Sequence, residues 1–339
     1  METFTNQGET EYNKTYVRNG SVENKKPLVI LTGPTAVGKT KTSIMLAKRL
    51  GGEIISADSM QVYRGMNIGS AKITKEEMNG IPHYLIDILE PDEEFNVVLF
   101  QEKAKEAMES IYAKGKIPIL VGGTGFYIQA VLYDIDFRKE QSDGVYRAWL
   151  EAEGEEKGAD YLHEMLQKAD PEAAEEIPVN NKKRVIRALE YFHLTGQKIS
   201  QHNKEQRQKE SPYHFCYFVL NENREKLYER IDYRVDEMLA QGLLEEVTSL
   251  KERGMHRNMV SMQGLGYKEL LEYLDGECTF EEAVYKLKRD TRHFAKRQLT
   301  WFRREREVEF IDMGYFRERP EELYEYMETV MRKNHVLEG

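Results

Sequence analysis

Residues 33–40 read Gly33-Pro34-Thr35-Ala36-Val37-Gly38-Lys39-Thr40, the spacing G-x-x-x-x-G-K-T. In that pattern the glycines let the backbone turn sharply, so that successive N–H groups converge on an oxyanion at a helix N-terminus. Lys39 then reaches the terminal phosphate as a point charge, and the Thr40 hydroxyl is offered to Mg²⁺. The motif predicts a phosphorylated ligand without saying whether it is a nucleotide. The flanks supply the context it needs, the apolar run Leu28-Val29-Ile30-Leu31 before it and a helical segment, Lys41 to Leu50, behind it.

Two further strand ends carry polar residues. Glu53-Ile54-Ile55-Ser56 runs into Ala57-Asp58-Ser59-Met60-Gln61, and Ile117–Val121 runs into Gly122-Gly123-Thr124-Gly125. Ligands of open α/β sheets sit at the carboxyl ends of the strands, so these ends are expected to line one crevice with the phosphate loop. Asp58 is there a Mg²⁺ ligand, a catalytic base or a helix N-cap, and Thr124 a substrate contact.

The segment Tyr285–Arg306 reads as a helix with Leu287, Phe294, Trp301 and Phe302 on one side and Thr291 and Gln298 between them. Lys288, Arg289, Arg292, Lys296, Arg303 and Arg306 fall in an opposite arc. A solvated helix face normally mixes signs, and like-charge neighbours cost roughly 0.2–0.5 kcal/mol per pair. A row of one sign predicts a polyanion, RNA or a phosphate cluster, as its partner. Lys182-Lys183-Arg184 with Arg187 forms a second basic cluster, of a kind that is often only solubilising.

These residues need a scaffold, and 339 residues suffice for a large core with an insertion. Short β-rich runs alternate with helical ones, predicting an α/β fold: a phosphate-loop parallel sheet with helices on both faces. The third strand is expected at His83–Leu89, an amphipathic helix around Arg224–Leu250 and a last strand near Val308–Met313. Residues 1–26 are polar and aperiodic and are expected to be disordered. The core is expected over 27–137 and 214–315, an all-helical insertion over 138–213, and an acidic helix or tail over 316–339.

Net charge is −10, which argues against wholesale wrapping of nucleic acid but leaves room for a local basic face. The two cysteines, Cys216 and Cys278, are far apart and read as reduced thiols of a cytoplasmic protein. No run approaches the roughly 20 apolar residues of a membrane span, no signal-peptide pattern is present, and the histidines lack zinc spacing. A monomer is expected.

Six segments in order resemble the bacterial tRNA dimethylallyltransferase (tRNA isopentenyltransferase) family. They are residues 33–40, Ser56–Met66, Val121–Tyr127, Lys183–Glu190, Met262–Tyr267 and Thr291–Arg303. The resemblance spans about 27–312 and lacks the zinc-finger extension of eukaryotic relatives. It implies transfer of the dimethylallyl group of dimethylallyl diphosphate to N6 of the adenosine immediately 3′ of a tRNA anticodon, with Mg²⁺. The loop residues Gly33, Thr35, Ala36, Val37, Gly38, Lys39 and Thr40 would then hold diphosphate, not ATP, and Thr40 the metal. Asp58 would be the base, with Thr124 and Arg234 also catalytic; Arg234 comes from the resemblance alone. The RNA would run along Asp58, Ser59, Met60, Gln61 and Thr124, then Lys183, Arg184, Val185, Ile186 and Arg187. It would continue over Met262, Gln263, Gly264, Leu265, Gly266 and Tyr267 to Lys296, Arg297, Gln298 and Arg303. The adenine is expected to leave its stack in the anticodon loop to reach the crevice.

An ATP-dependent small-molecule kinase would use the same loop but would need neither the cationic helix nor the insertion. A nucleic-acid-stimulated NTPase would want an acid at a strand end. Asp87 is the nearest, and it is expected inside its strand because Ile88-Leu89 follow.

Overall fold

The computed structural model describes residues 25–137 and 144–338. The expectation for the N-terminal 24 residues and the first positions of the charged segment, 138–143, lies outside them. Six strands form one sheet: β1 (Lys26–Thr32), β2 (Glu53–Ala57), β3 (His83–Tyr84), β4 (Pro118–Gly122), β5 (Tyr213–Asn221) and β6 (Val308–Asp312). Their order is β3-β2-β4-β1-β5-β6, and every pairing is parallel.

β1 is central, and Leu28, Val29, Ile30 and Leu31 are all fully buried. Its side chains alternate: Leu28 and Ile30 join the core on one face, Val29 and Leu31 that on the other. A strand covered on both faces needs this unbroken apolar composition.

The first half of the chain supplies α1 (Lys39–Leu50), α2 (Lys75–Met78), α3 (Val97–Ala113) and α4 (Gly125–Leu132). Helices α5 (Gly144–Glu156), α6 (Gly158–Ala169), α7 (Pro171–Glu176), α8 (Lys182–Thr195) and α9 (Ile199–Gln208) follow without a strand. They bury a cluster of their own, including Leu150, Leu162, Leu166, Val185 and Leu189. Asp170 is a buried junction there: it caps α7 through the Ala173 N–H (3.2 Å) and accepts from Ser200 Oγ (2.7 Å).

After β5 come α10 (Arg224–Ala240), α11 (Leu243–Glu252), α12 (Tyr267–Leu274), α13 (Phe280–Phe302), α14 (Met313–Phe316) and α15 (Pro320–Lys333). The helix expected over Arg224–Leu250 is therefore two, broken where Gly242 takes φ +101°. α13 opens on a capping box between Thr279 and Glu282 and stops at Phe302, short of Arg303 and Arg306. The C-terminal acidic segment is no free tail: α15 packs Leu323, Met327 and Met331 against the second face of the sheet.

The third strand is shorter than expected. Only His83 and Tyr84 pair with β2, and Leu85 and Asp87 then take positive φ, 62° and 54°. Asp87 lies beyond the strand, paired with the buried Lys72 amine at 2.5 Å. Among the described residues no helix is long and apolar enough to cross a membrane.

Candidate active site

The register aligns the carboxyl ends of the central strands: Thr32 opposite Gly122, and Gly122 opposite Ala57. Close packing there explains the glycines. A Cβ on Gly122 would lie 2.1 Å from the Ala57 carbonyl oxygen, and Gly33 holds φ +144° with the Leu220 carbonyl 2.4 Å from where a Cβ would stand. A cavity of about 660 Å³ opens at this edge. Thr35, Lys39 and Thr40 line it beside Asp58–Gln61, Gly123, Thr124, Arg234 and the turn Gln263–Gly266.

The loop at 33–40 leaves a helix N-terminus open. Gly38 caps α1 in a left-handed conformation with no side-chain cap bond, and the first turn holds no acid. The N-terminal N–H groups and the positive end of the helix dipole are thus left for a ligand. Lys39 folds back, donating to the carbonyls of Gly33 (3.0 Å) and Pro34 (2.9 Å). Burial and then the Arg234 charge lower its pKa to about 8, with Asp58 pulling the other way. Burial likewise lowers the pKa of Arg234, with Asp58 the largest opposing influence. Among the described residues no carboxylate forms an ion pair with Arg234. A desolvated cation without a partner wants an anionic ligand.

Asp58 is half committed. Oδ1 accepts from the N–H groups of Met60 (2.8 Å) and Gln61 (3.3 Å), so the capping alternative is met by one oxygen. Oδ2 has no hydrogen bond among the described residues. Thr124 begins α4 without spending its hydroxyl on a cap; its N–H donates to the Ala57 carbonyl at 3.3 Å. Ile231, Val235, Met238, Leu265, Leu287 and Phe294 give the cavity an apolar side.

Several residues expected along an RNA surface face inward. Val185 and Ile186 belong to the buried cluster of the helical segment, because α8 turns them toward α6 while Lys183, Arg184 and Arg187 stay exposed. Met262 and Tyr267 are fully buried. Gln298 is 6% exposed, its amide held between two loops. Gln263, Lys296, Arg297 and Arg303 are exposed.

The cationic row is also less free than it reads. Lys288 pairs with Asp236 at 2.6 Å, Arg292 with Asp232, and Arg289 with its neighbour Asp290 at 2.8 Å. Arg306, past the helix, reaches the Arg207 carbonyl at 2.8 Å. Lys296, Arg303 and Arg304 have no ion pair among the described residues. With His293, Arg297, Thr300 and Trp301, Lys296 and Arg304 form a shallow open groove.

Sequence reasoning passed over Arg230, Arg317 and Tyr233. Arg230 donates to the Ala36 carbonyl (3.0 Å), and Arg317 bridges the Val37 carbonyl and the buried Glu222. Both bracket the phosphate loop from outside. Tyr233 stands at the cavity rim, 65% exposed. Large exposed aromatics beside a cavity are a usable signal; the arginines are invisible until tertiary contacts are known.

A protein-family model described as IPP transferase matches residues 61–305 of this chain. The chain belongs to the IPP transferase family. A tRNA dimethylallyltransferase from Lachnoclostridium phytofermentans is 67% identical over 283 residues, 84% of this chain and 90% of that protein. The crystal structure of full-length tRNA isopentenylpyrophosphate transferase from Bacillus halodurans is 47% identical with TM-score 0.70, covering 92% of this chain and 98% of that one. A eukaryotic dimethylallyltransferase captured acting on tRNA is 29% identical with TM-score 0.78, covering 91% and 79%. The IPP transferase resemblance read from the six motifs is borne out, and with it the phosphate-loop α/β fold.

Proposed function

We propose that this chain transfers the dimethylallyl group of dimethylallyl diphosphate to N6 of the adenosine 3′-adjacent to the anticodon in tRNA, releasing diphosphate. One observation carries the reading. Lys39, held by backbone carbonyls alone, Arg234, which has no ion pair among the described residues, and the uncapped α1 N-terminus share one cavity with a half-free carboxylate, Asp58, and the Thr124 hydroxyl. The names of the relatives support the same transferred group, dimethylallyl, and tRNA as its acceptor.

In this reading the diphosphate takes the Lys39 ammonium from the Gly33 and Pro34 carbonyls and adds Arg234. The allylic C–O bond breaks with its electron pair leaving on diphosphate, whose growing charge these cations stabilise. The allylic carbon sits against the apolar side of the cavity and bonds to N6. An ordinary carboxylate is too weak a base to deprotonate a neutral exocyclic amine beforehand. Asp58 instead orients N6 and takes the proton as the N–C bond forms. Thr124 lies beside the reacting groups.

Mg²⁺ fits the donors present. Among the described residues no group of three or more His, Cys, Asp or Glu is arranged to hold a metal. Thr40 offers one hydroxyl, which suits an ion that keeps its waters and binds mainly to substrate phosphates. When bound, it neutralises charge on the leaving diphosphate.

RNA contacts are assigned to the exposed members of the expected set, Lys183, Arg184, Arg187, Gln263, Lys296, Arg297 and Arg303. The chain acts in the cytoplasm as a monomer. Mass analysis of tRNA nucleosides after incubation with enzyme, Mg²⁺ and dimethylallyl diphosphate tests the reading. It predicts one adenosine heavier by a prenyl unit; phosphate transfer from ATP with no prenylation would replace it by a kinase.

A further inference from the structure

Gln298 sits on α13, between the exposed residues Arg297 and Lys296 on one side and the sheet edge on the other. Its side chain is buried, and both ends of the amide are used. Oε1 accepts from the Thr35 N–H at 3.0 Å, and Nε2 donates to the Gly123 carbonyl at 3.0 Å. Thr35 belongs to the phosphate loop, and Gly123 immediately precedes Thr124. The fit is close: a Cβ on Gly123 would stand 2.2 Å from Nε2. One amide therefore ties together the loop for the leaving group, the turn beside the reacting groups, and the helix that carries the exposed cations.

We infer that Gln298 is a positioning residue that fixes the phosphate loop and the Thr124 turn relative to each other, rather than a contact to RNA. The inference rests on the proposed prenyl transfer. Although Gln298 borders the cavity, it is only 6% exposed, and one N–H and one lone pair of its amide are committed to the two loops, so its first role is to hold them. Replacing it leaves a loop N–H and a turn carbonyl unpaired, which frees two loops whose spacing sets the distance from leaving group to acceptor. Binding geometry of this kind is steep, since small misplacements of reacting groups lower rates strongly.

Steady-state kinetics with dimethylallyl diphosphate and tRNA, together with equilibrium tRNA binding, test it on two variants. Gln298→Leu keeps volume and loses both hydrogen bonds. It is expected to raise the donor KM about tenfold and lower kcat by a similar factor, with tRNA Kd within about twofold of wild type. Gln298→Glu keeps an acceptor for the Thr35 N–H but loses the donor to Gly123. Because it also sets a negative charge beside the diphosphate, it is expected to raise donor KM at least as much as the leucine variant and to keep kcat low, with tRNA Kd still within about twofold of wild type, a split that general loss of structure would not produce. Should the leucine variant fail to fold, the glutamate variant decides alone. Weakened tRNA binding with unchanged donor KM and kcat would overturn the inference and return Gln298 to the RNA surface. A wild-type enzyme that prenylates no adenosine would overturn the proposed function itself, a result distinct from normal kinetics in the variants.

Discussion

The Tyr267 hydroxyl donates to the Glu246 carboxylate at 2.7 Å, and the same carboxylate accepts the backbone N–H groups of Asn67 (2.8 Å), Ile68 (2.9 Å) and Gly69 (3.1 Å). Gly69 packs so closely under the Tyr267 ring that a Cβ there would stand 2.6 Å from it. One acid on α11 thus joins the 67–71 loop to the start of α12, and both segments border the cavity. Hydrogen bonds to charged groups contribute about 1.5–3 kcal/mol. Tyr267→Phe is expected to cost about 1.5 kcal/mol and Glu246→Ala about 3 kcal/mol in urea denaturation. The double variant should cost less than the sum, because the two share a network.

Asp58→Ala is expected to lower kcat by about 10²–10⁴, the range for loss of a general base. Binding of tRNA should survive, because Oδ1 serves only a local turn. Turnover equal to wild type would remove Asp58 from the chemistry.

Charge reversal at Lys296 and Arg303 is expected to weaken tRNA binding and to lower the slope of log K against log salt by about 0.7 for each phosphate no longer neutralised. The same change at Lys288 and Arg292 should leave that slope nearly unchanged, because Asp236 and Asp232 already neutralise them. Filter binding over a salt series separates the two pairs. Equal effects would mean that the intramolecular pairs open on binding.

Lys39 gives a pH signature. Its pKa of about 8 is lowered by burial and by Arg234, so the ammonium is present below that pH and lost above it. The kcat/KM for the diphosphate donor should therefore fall as pH rises through about 8, since this parameter reports groups on the free enzyme. Arg234→Gln removes one of the causes and should move the alkaline limb upward even though overall activity drops. An alkaline limb that stays in place would assign it to another group.

The strand, loop and helix at 28–50 are legible in the sequence because local spacing alone creates them: a buried strand must be apolar, and a phosphate turn must have its glycines. Asp58 and Thr124 are legible because parallel sheets deliver strand ends to one edge. The charge row on α13 is only half legible. Periodicity gives the face of a helix but not what lies across from it, and α10 brings Asp232 and Asp236 there. That Val185, Ile186 and Gln298 are buried is illegible for the same reason, since a motif read along the chain does not say which of its residues face inward. Arg234 is one of three arginines on α10, with Arg224 and Arg230, and only burial beside Lys39 and Asp58 marks it out.

The position of β1 between β4 and β5 has a consequence for synthesis. The phosphate loop emerges from the ribosome early, yet Gly33 rests on the Leu220 backbone and Thr35 on Gln298. A nascent chain that has produced α1 through α9 holds the complete loop motif without the strand that borders it or the helix that steadies it. Pairings so distant in sequence form late. The loop should thus reach its final geometry only once β5 and α13 have been made, long after its own residues.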